Sequence, residues 1–126
     1  MGKNILYIED NPDNMLLVKR VLESRGYHLL EAENGTRGLA MAEAQDVDLV
    51  LLDINLPDID GYEVARRLRK STKVELAYVP IIAITANALK GDAEKALDAG
   101  CDVYMSKPIN IRELWARVEG FVVSSH

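Results

Sequence analysis

At 126 residues, 48% of them hydrophobic, the chain is long enough to bury a core and is expected to be one domain, spanning 1–126, without an output domain. Its formal charge of -5 argues against a nucleic-acid partner, because phosphate backbones are held chiefly by Lys and Arg. A lone Cys101 excludes an internal disulfide, and no apolar run approaches the ~20 residues that span a bilayer, so a cytoplasmic protein without membrane contact is expected.

Met1 to Lys3 lead straight into an apolar run, too short an approach for a secretory signal. Asn4 to Ile8 reads as a first strand. Asn11-Pro12 then offers an N-cap with proline at the first helical position, and Gly26 closes that helix after Arg25. On a helical wheel Leu17, Val18, Val21 and Leu22 fall together, whereas Leu16 lies beside Arg20 and Glu23 and should be exposed. His28 to Glu31 reads as the second strand, and Asn34-Gly35 turns into a second helix. Leu49 to Leu52 is a continuous apolar run, as a central buried strand should be, and Gly61 opens a third helix. Ile81 to Ile84 forms the fourth strand, with a helix after it that Gly100 ends. Val103 to Tyr104 is the fifth strand, and Asn110 with Glu113 resembles a capping box for a fifth helix. Ile111, Leu114, Trp115, Val118 and Val122 recur along it at helical spacing, and Trp115 is read as core packing.

Five strand-and-helix units in alternation imply an α/β fold, a five-stranded parallel sheet doubly wound by helices. Ligands of such sheets bind outside the carboxyl ends of the strands, where strand order reverses. The chemically capable side chains at those ends are Glu9, Asp10, Asp53, Thr85 and Lys107. Each alone has an ordinary structural explanation: a loop acid or helix cap, a hydroxyl bonded to a strand-end carbonyl, a solvated ammonium. Together they complement one another, since the acids suit a divalent cation while Lys107 and Thr85 face a phosphoryl oxygen. Close carboxylates repel, and Mg²⁺ relieves that conflict while keeping positions open for phosphate oxygens. Asp53, ending the most apolar strand, is then the nucleophile that forms an acyl phosphate.

Glu9-Asp10-Asn11, Asp53-Ile-Asn-Leu-Pro57, Asp60-Gly61, Thr85-Ala86 and Lys107-Pro108 resemble the signature of response-regulator receiver domains, and the match runs from the first strand to the last helix. The resemblance implies a flavodoxin-like (βα)5 fold with strand order 2-1-3-4-5 and a two-component phosphoacceptor switch. Asp53 resembles the phosphoacceptor. Asp10, Asp53 and the carbonyl of Asn55 resemble the Mg²⁺ ligands, with Glu9 acting through a metal-bound water. Thr85 and Lys107 resemble the pair that bonds phosphoryl oxygens, the Lys107-Pro108 peptide is implied to be cis, and Tyr104 resembles the switch aromatic. Asn11, Asn14 and the segments from Lys90-Gly-Asp92 through Ala99-Gly-Cys-Asp102 look most like receivers of hybrid kinases and single-domain regulators.

The implied partners are a histidine kinase or histidine phosphotransfer protein, contacting Leu16, and a downstream protein target that reads the surface of the fourth helix, fifth strand and fifth helix. A monomer or weak dimer is expected, autocatalytic in its own phosphorylation and dephosphorylation rather than an enzyme. Competing readings fit less well. Asp53-Ile-Asn55 resembles half of the haloacid-dehalogenase phosphatase motif, but Asn55 stands where an acid-base aspartate is required. An EF-hand loop counted from Asp53 would need Gly and Glu where Asp58 and Val64 stand. Asn34-Gly35-Thr36 is a glycosylation triplet by letter only.

Overall fold

The computed structural model describes residues 2–86 and 91–124. Lys90, part of one of the resembling segments, lies outside them. The elements run β1 (Asn4–Ile8), α1 (Pro12–Glu23), β2 (His28–Ala32), α2 (Gly35–Ala44), β3 (Leu49–Asp53), α3 (Gly61–Arg69), α4 (Val74–Ala77), β4 (Ile81–Thr85), α5 (Asp92–Asp98), β5 (Val103–Ser106) and α6 (Ile111–Ser124). All strand pairs are parallel, in the order β2-β1-β3-β4-β5 that the family resemblance implies. The one-turn α4 is an addition to the five expected helices, so the expected fourth and fifth helices are α5 and α6. Four residues without a side-chain cap carry too little periodic signal to be seen in advance.

Alternation along the strands builds two cores. Leu6, Ile8, Val50, Leu52, Ile81 and Ala83 face α2, α3, α4 and α5, while Ile5, Tyr7, Leu49, Leu51, Ile82 and Ile84 face α1 and α6. Leu49 to Asp53 are buried throughout, as a strand covered on both faces must be. Each fully buried Leu or Ile contributes about 1.5–3 kcal/mol of transfer free energy. No helix among the described residues is long and apolar enough to cross a membrane.

The structure corrects one packing expectation. The buried stripe of α1 is Met15, Val18 and Leu22, with Val21 at its margin; Leu17 is 43% exposed beside Leu16 at 48%. Its cause is Met15: set three residues before Val18 and seven before Leu22, it takes the inward position assigned to Leu17. Trp115 is only partly buried in the α6 stripe, and the Arg25 guanidinium lies 3.7 Å from its ring centroid. The N-caps behave as read: Asn11 Oδ1 accepts from the amides of Asp13 (2.9 Å) and Asn14 (3.0 Å), and Asn110 Oδ1 from Glu113 (3.0 Å).

Candidate phosphoacceptor site

Register brings the site together. Ile8 pairs with Leu52 and Asp53 with Ile84, so the turns after β1, β3 and β4 open on one edge of the sheet. Thr85 pairs with Ser106, one residue before Lys107. Among the described residues the buried polar or charged side chains are Glu9, Asp53 and Thr85, each 1% exposed. Burying a charge or a polar group is costly unless it is partnered, so two carboxyls and a hydroxyl buried at one rim mark a site and not a packing accident.

Lys107, reaching in from the turn after β5, supplies the first partner. Its Nζ lies 3.1 Å from Asp53 Oδ2 and 3.5 Å from Glu9 Oε1. The Asn55 amide donates to Asp53 Oδ1 at 3.0 Å. Glu9 is held from four sides: by Lys107, by the Tyr7 hydroxyl at 2.9 Å, by the Asn11 amide at 3.2 Å and by Asn14 Nδ2 at 3.3 Å. The Lys107-Pro108 peptide is cis, as the family resemblance implies.

Gly61 shapes the turn below Asp53. A Cβ there would lie 2.6 Å from Ile54 Cα and 2.8 Å from the Asp53 carbonyl oxygen, so only glycine lets α3 start this close to the acid.

The charges do not balance. Carboxylate oxygens of Glu9, Asp10 and Asp53 all lie within 4.8 Å of one another, against the single ammonium of Lys107. Burial, then the hydrogen bond and charge of Glu9, push the Asp53 carboxyl up to about 7. Glu9 stays below the usual range: burial opposes this, but hydrogen bonds from Asp53, the Asn11 amide and Tyr7, and the charge of Lys107, outweigh it. Lys107 is raised, its burial overcome by Asp53 and Glu9. An acidic cluster of hard oxygen donors, with excess negative charge and one exposed member in Asp10, fits a small divalent cation.

Thr85 is placed differently from its neighbours. Its hydroxyl donates to Asp92 Oδ2 on α5, 3.0 Å away. Its carbonyl accepts from the Lys107 amide at 2.8 Å, linking β4 to the lysine's turn. Tyr104 points outward at 38% exposure, bordering a groove of about 550 Å³ with Leu97, Met105, Glu113 and Arg117. Leu16 is exposed, as expected.

Tyr7 was missed by sequence reasoning, and Asn14 and Asp92, noted there only as details of the family resemblance, were given no part in the site, where they bond Glu9 and Thr85. Tyr7 read as an ordinary strand residue, and its position two residues before Glu9, on the same side of β1, was the signal available. Asp92 lies seven residues beyond Thr85, and nothing local links the two.

A family model for the response regulator receiver domain matches residues 5–119. The chain belongs to the receiver domain family. It is 37% identical over 122 residues to the polar-differentiation response regulator DivK of Brucella anthropi, covering 97% of this chain and 98% of the relative. Among solved structures it resembles the receiver domain of a sensor histidine kinase of Pseudomonas aeruginosa, which holds a magnesium ion in its active-site cleft. That likeness has a TM-score of 0.89 at 38% identity, over 98% of this chain and 99% of the other. It also resembles the co-crystal structure of the yeast histidine phosphotransfer protein Ypd1 with the receiver domain of its downstream regulator Ssk1, from Saccharomyces cerevisiae. There the TM-score is 0.90 at 27% identity, over 98% and 91% of the two chains. As a receiver domain the chain is a phosphoacceptor switch of two-component signalling.

Proposed function

We propose that Asp53 is the phosphoacceptor, that Asp10, Asp53 and the Asn55 carbonyl hold Mg²⁺ with Glu9 contributing through a water, and that Thr85 and Lys107 receive the phosphoryl oxygens. The observation that carries this reading is the 3.1 Å contact of Lys107 with a buried Asp53 that faces two further carboxylates. An Asp53 carboxylate oxygen attacks phosphorus, the P–N bond of a phosphohistidine breaks, and the imidazole leaves with the bonding pair. Lys107 neutralises charge on the transferring group, and the Asn55 amide fixes the carboxylate by holding its other oxygen. Bound Mg²⁺ would supply charge neutralisation between the acids and the incoming anion.

Leu16 and Leu17 suit the donor's docking surface. Leu17 borders a hollow of about 440 Å³ with Asn14, Pro108, Ile109 and the Lys107 that contacts Asp53. A histidine kinase or phosphotransfer bundle seated there brings its phosphohistidine to Asp53. The downstream reader contacts α5, β5 and α6, whose groove contains Tyr104. A free, buried Cys101 fits the reducing cytoplasm, where we place the protein. The deciding experiment is intact mass after incubation with acetyl phosphate and Mg²⁺: wild type should gain one phosphoryl group and Asp53→Asn none. Equal labelling of both would end the assignment.

A further inference from the structure

The turn that leaves Asp53 runs from Ile54 to Asp60 without regular structure. Its start is pinned by the Ile54 amide on the Ile84 carbonyl (3.0 Å), and its end by the Gly61 amide on the Ile54 carbonyl (3.0 Å). Between these points the turn is tied to a separate element. Asp58 Oδ1 accepts from the Gly35 amide at 2.8 Å, while Oδ2 accepts from the Thr36 amide at 2.9 Å and the Thr36 hydroxyl at 2.6 Å.

We infer that Asp58 is a positioning residue for the metal site, clasping the acceptor turn to the N-terminus of α2 and thereby holding the Asn55 carbonyl in place. The inference rests on the metal reading above. Three hydrogen bonds to one carboxylate, at the positive end of a helix dipole, are charge-assisted and individually stronger than neutral ones. The Thr36 hydroxyl first, and then the backbone amides, hold the Asp58 carboxyl far below the usual range. A cap for this helix already exists in Asn34, whose Oδ1 accepts from Arg37 at 2.8 Å. Asp58 therefore adds a bond between elements 22 and 23 residues apart. Gly35 makes the approach feasible: a Cβ there would lie 3.0 Å from Val64 Cγ2 and 3.2 Å from Ile59 Cβ.

The clasp bears on the metal because Asn55 sits on the short span between Asp53 and Asp58. With both ends held, the carbonyl is ordered before any ligand arrives. With Asp58 free, that ordering is taken from the binding free energy.

The test is a Mg²⁺ titration followed by the backbone amide resonances of Asp53 to Leu56. Asp58→Ala should weaken Mg²⁺ by about fivefold or more, toward the range typical of lost outer-shell partners. Thr36→Val removes the shortest bond while keeping the shape; it should give a smaller loss, and it carries the test if Asp58→Ala does not fold. Asn34→Ala removes a cap from the same helix end without touching the turn, so it should lower the melting temperature yet keep wild-type Mg²⁺ affinity. Unchanged affinity in Asp58→Ala and Thr36→Val, or an equal loss in Asn34→Ala, overturns the clasp alone. Absence of any Mg²⁺ response in wild type overturns the metal reading and the clasp with it.

Discussion

Tyr7 donates its hydroxyl hydrogen to Glu9 across 2.9 Å in the buried floor of the site, two residues further on and just past the end of β1. Burial first, and then the Glu9 charge, raise the phenol far above its usual range, so Tyr7 remains a donor at every working pH. Tyr7→Phe keeps the ring and removes the bond. It should destabilise the protein by about 1.5–3 kcal/mol, the range for hydrogen bonds to charged groups. Denaturant unfolding in EDTA measures this; a difference below about 0.5 kcal/mol, the scale of neutral surface substitutions, would show that Glu9 finds other partners.

Asp53 opposes the stability of the metal-free protein. Its carboxyl is raised from 3.8 to about 7 on folding, so the folded state binds more protons than the unfolded chain between those values. Stability therefore falls as pH rises from about 4 to 7, and the cost is full above that window. Asp53→Asn removes it. The variant should be more stable than wild type by on the order of 2 kcal/mol at pH 8, with the gain vanishing near pH 4. Thermal unfolding in EDTA at both pH values provides the measurement, and a gain independent of pH would refute the assigned cause.

Donor docking is separable from chemistry. Leu16→Ala and Leu17→Ala should slow phosphotransfer from the partner about tenfold, the scale of a lost apolar contact at an interface. Labelling by acetyl phosphate should be unchanged in both, because neither side chain reaches the acids. Leu17, on the wall of the hollow with Pro108 and Ile109, should have the larger effect. Equal transfer rates in all three proteins would remove α1 from the interface.

The Thr85 hydroxyl is engaged with Asp92 in this structure, so the proposed role requires that it be redirected to bond a phosphoryl oxygen. Thr85→Ala should still be phosphorylated, since the nucleophile and acids remain, but the signal to Tyr104 should weaken. Asp92→Ala should ease the redirection and enlarge it. Amide shifts around Val103 and Tyr104 on adding beryllofluoride report this. Identical shifts in wild type and both variants would mean that another residue carries the signal. Each charge-assisted bond gained is worth about 1.5–3 kcal/mol, against about 5.5 kcal/mol for a complete population reversal, so the shift should be large but partial.

The alternation of apolar strands with capped helices determined the α/β class, and the polar residues that follow four of the five strands singled out Glu9, Asp10, Asp53, Thr85 and Lys107 as candidates. Both are local: a strand's burial shows in its own apolar run, and a helix start shows in its cap. What only the tertiary structure decided is which distant groups meet. The helical wheel put Leu17 on the inward stripe of α1, and in the folded protein Met15 takes that place against the sheet. Asp58 reads as a turn residue until α2, more than twenty residues earlier, is folded against it. Tyr7 becomes part of the site only once burial removes water and leaves Glu9 as its hydroxyl's partner. Periodicity records which way a side chain faces, whereas the identity of its partner depends on how separate elements are stacked, and no short window of sequence contains that.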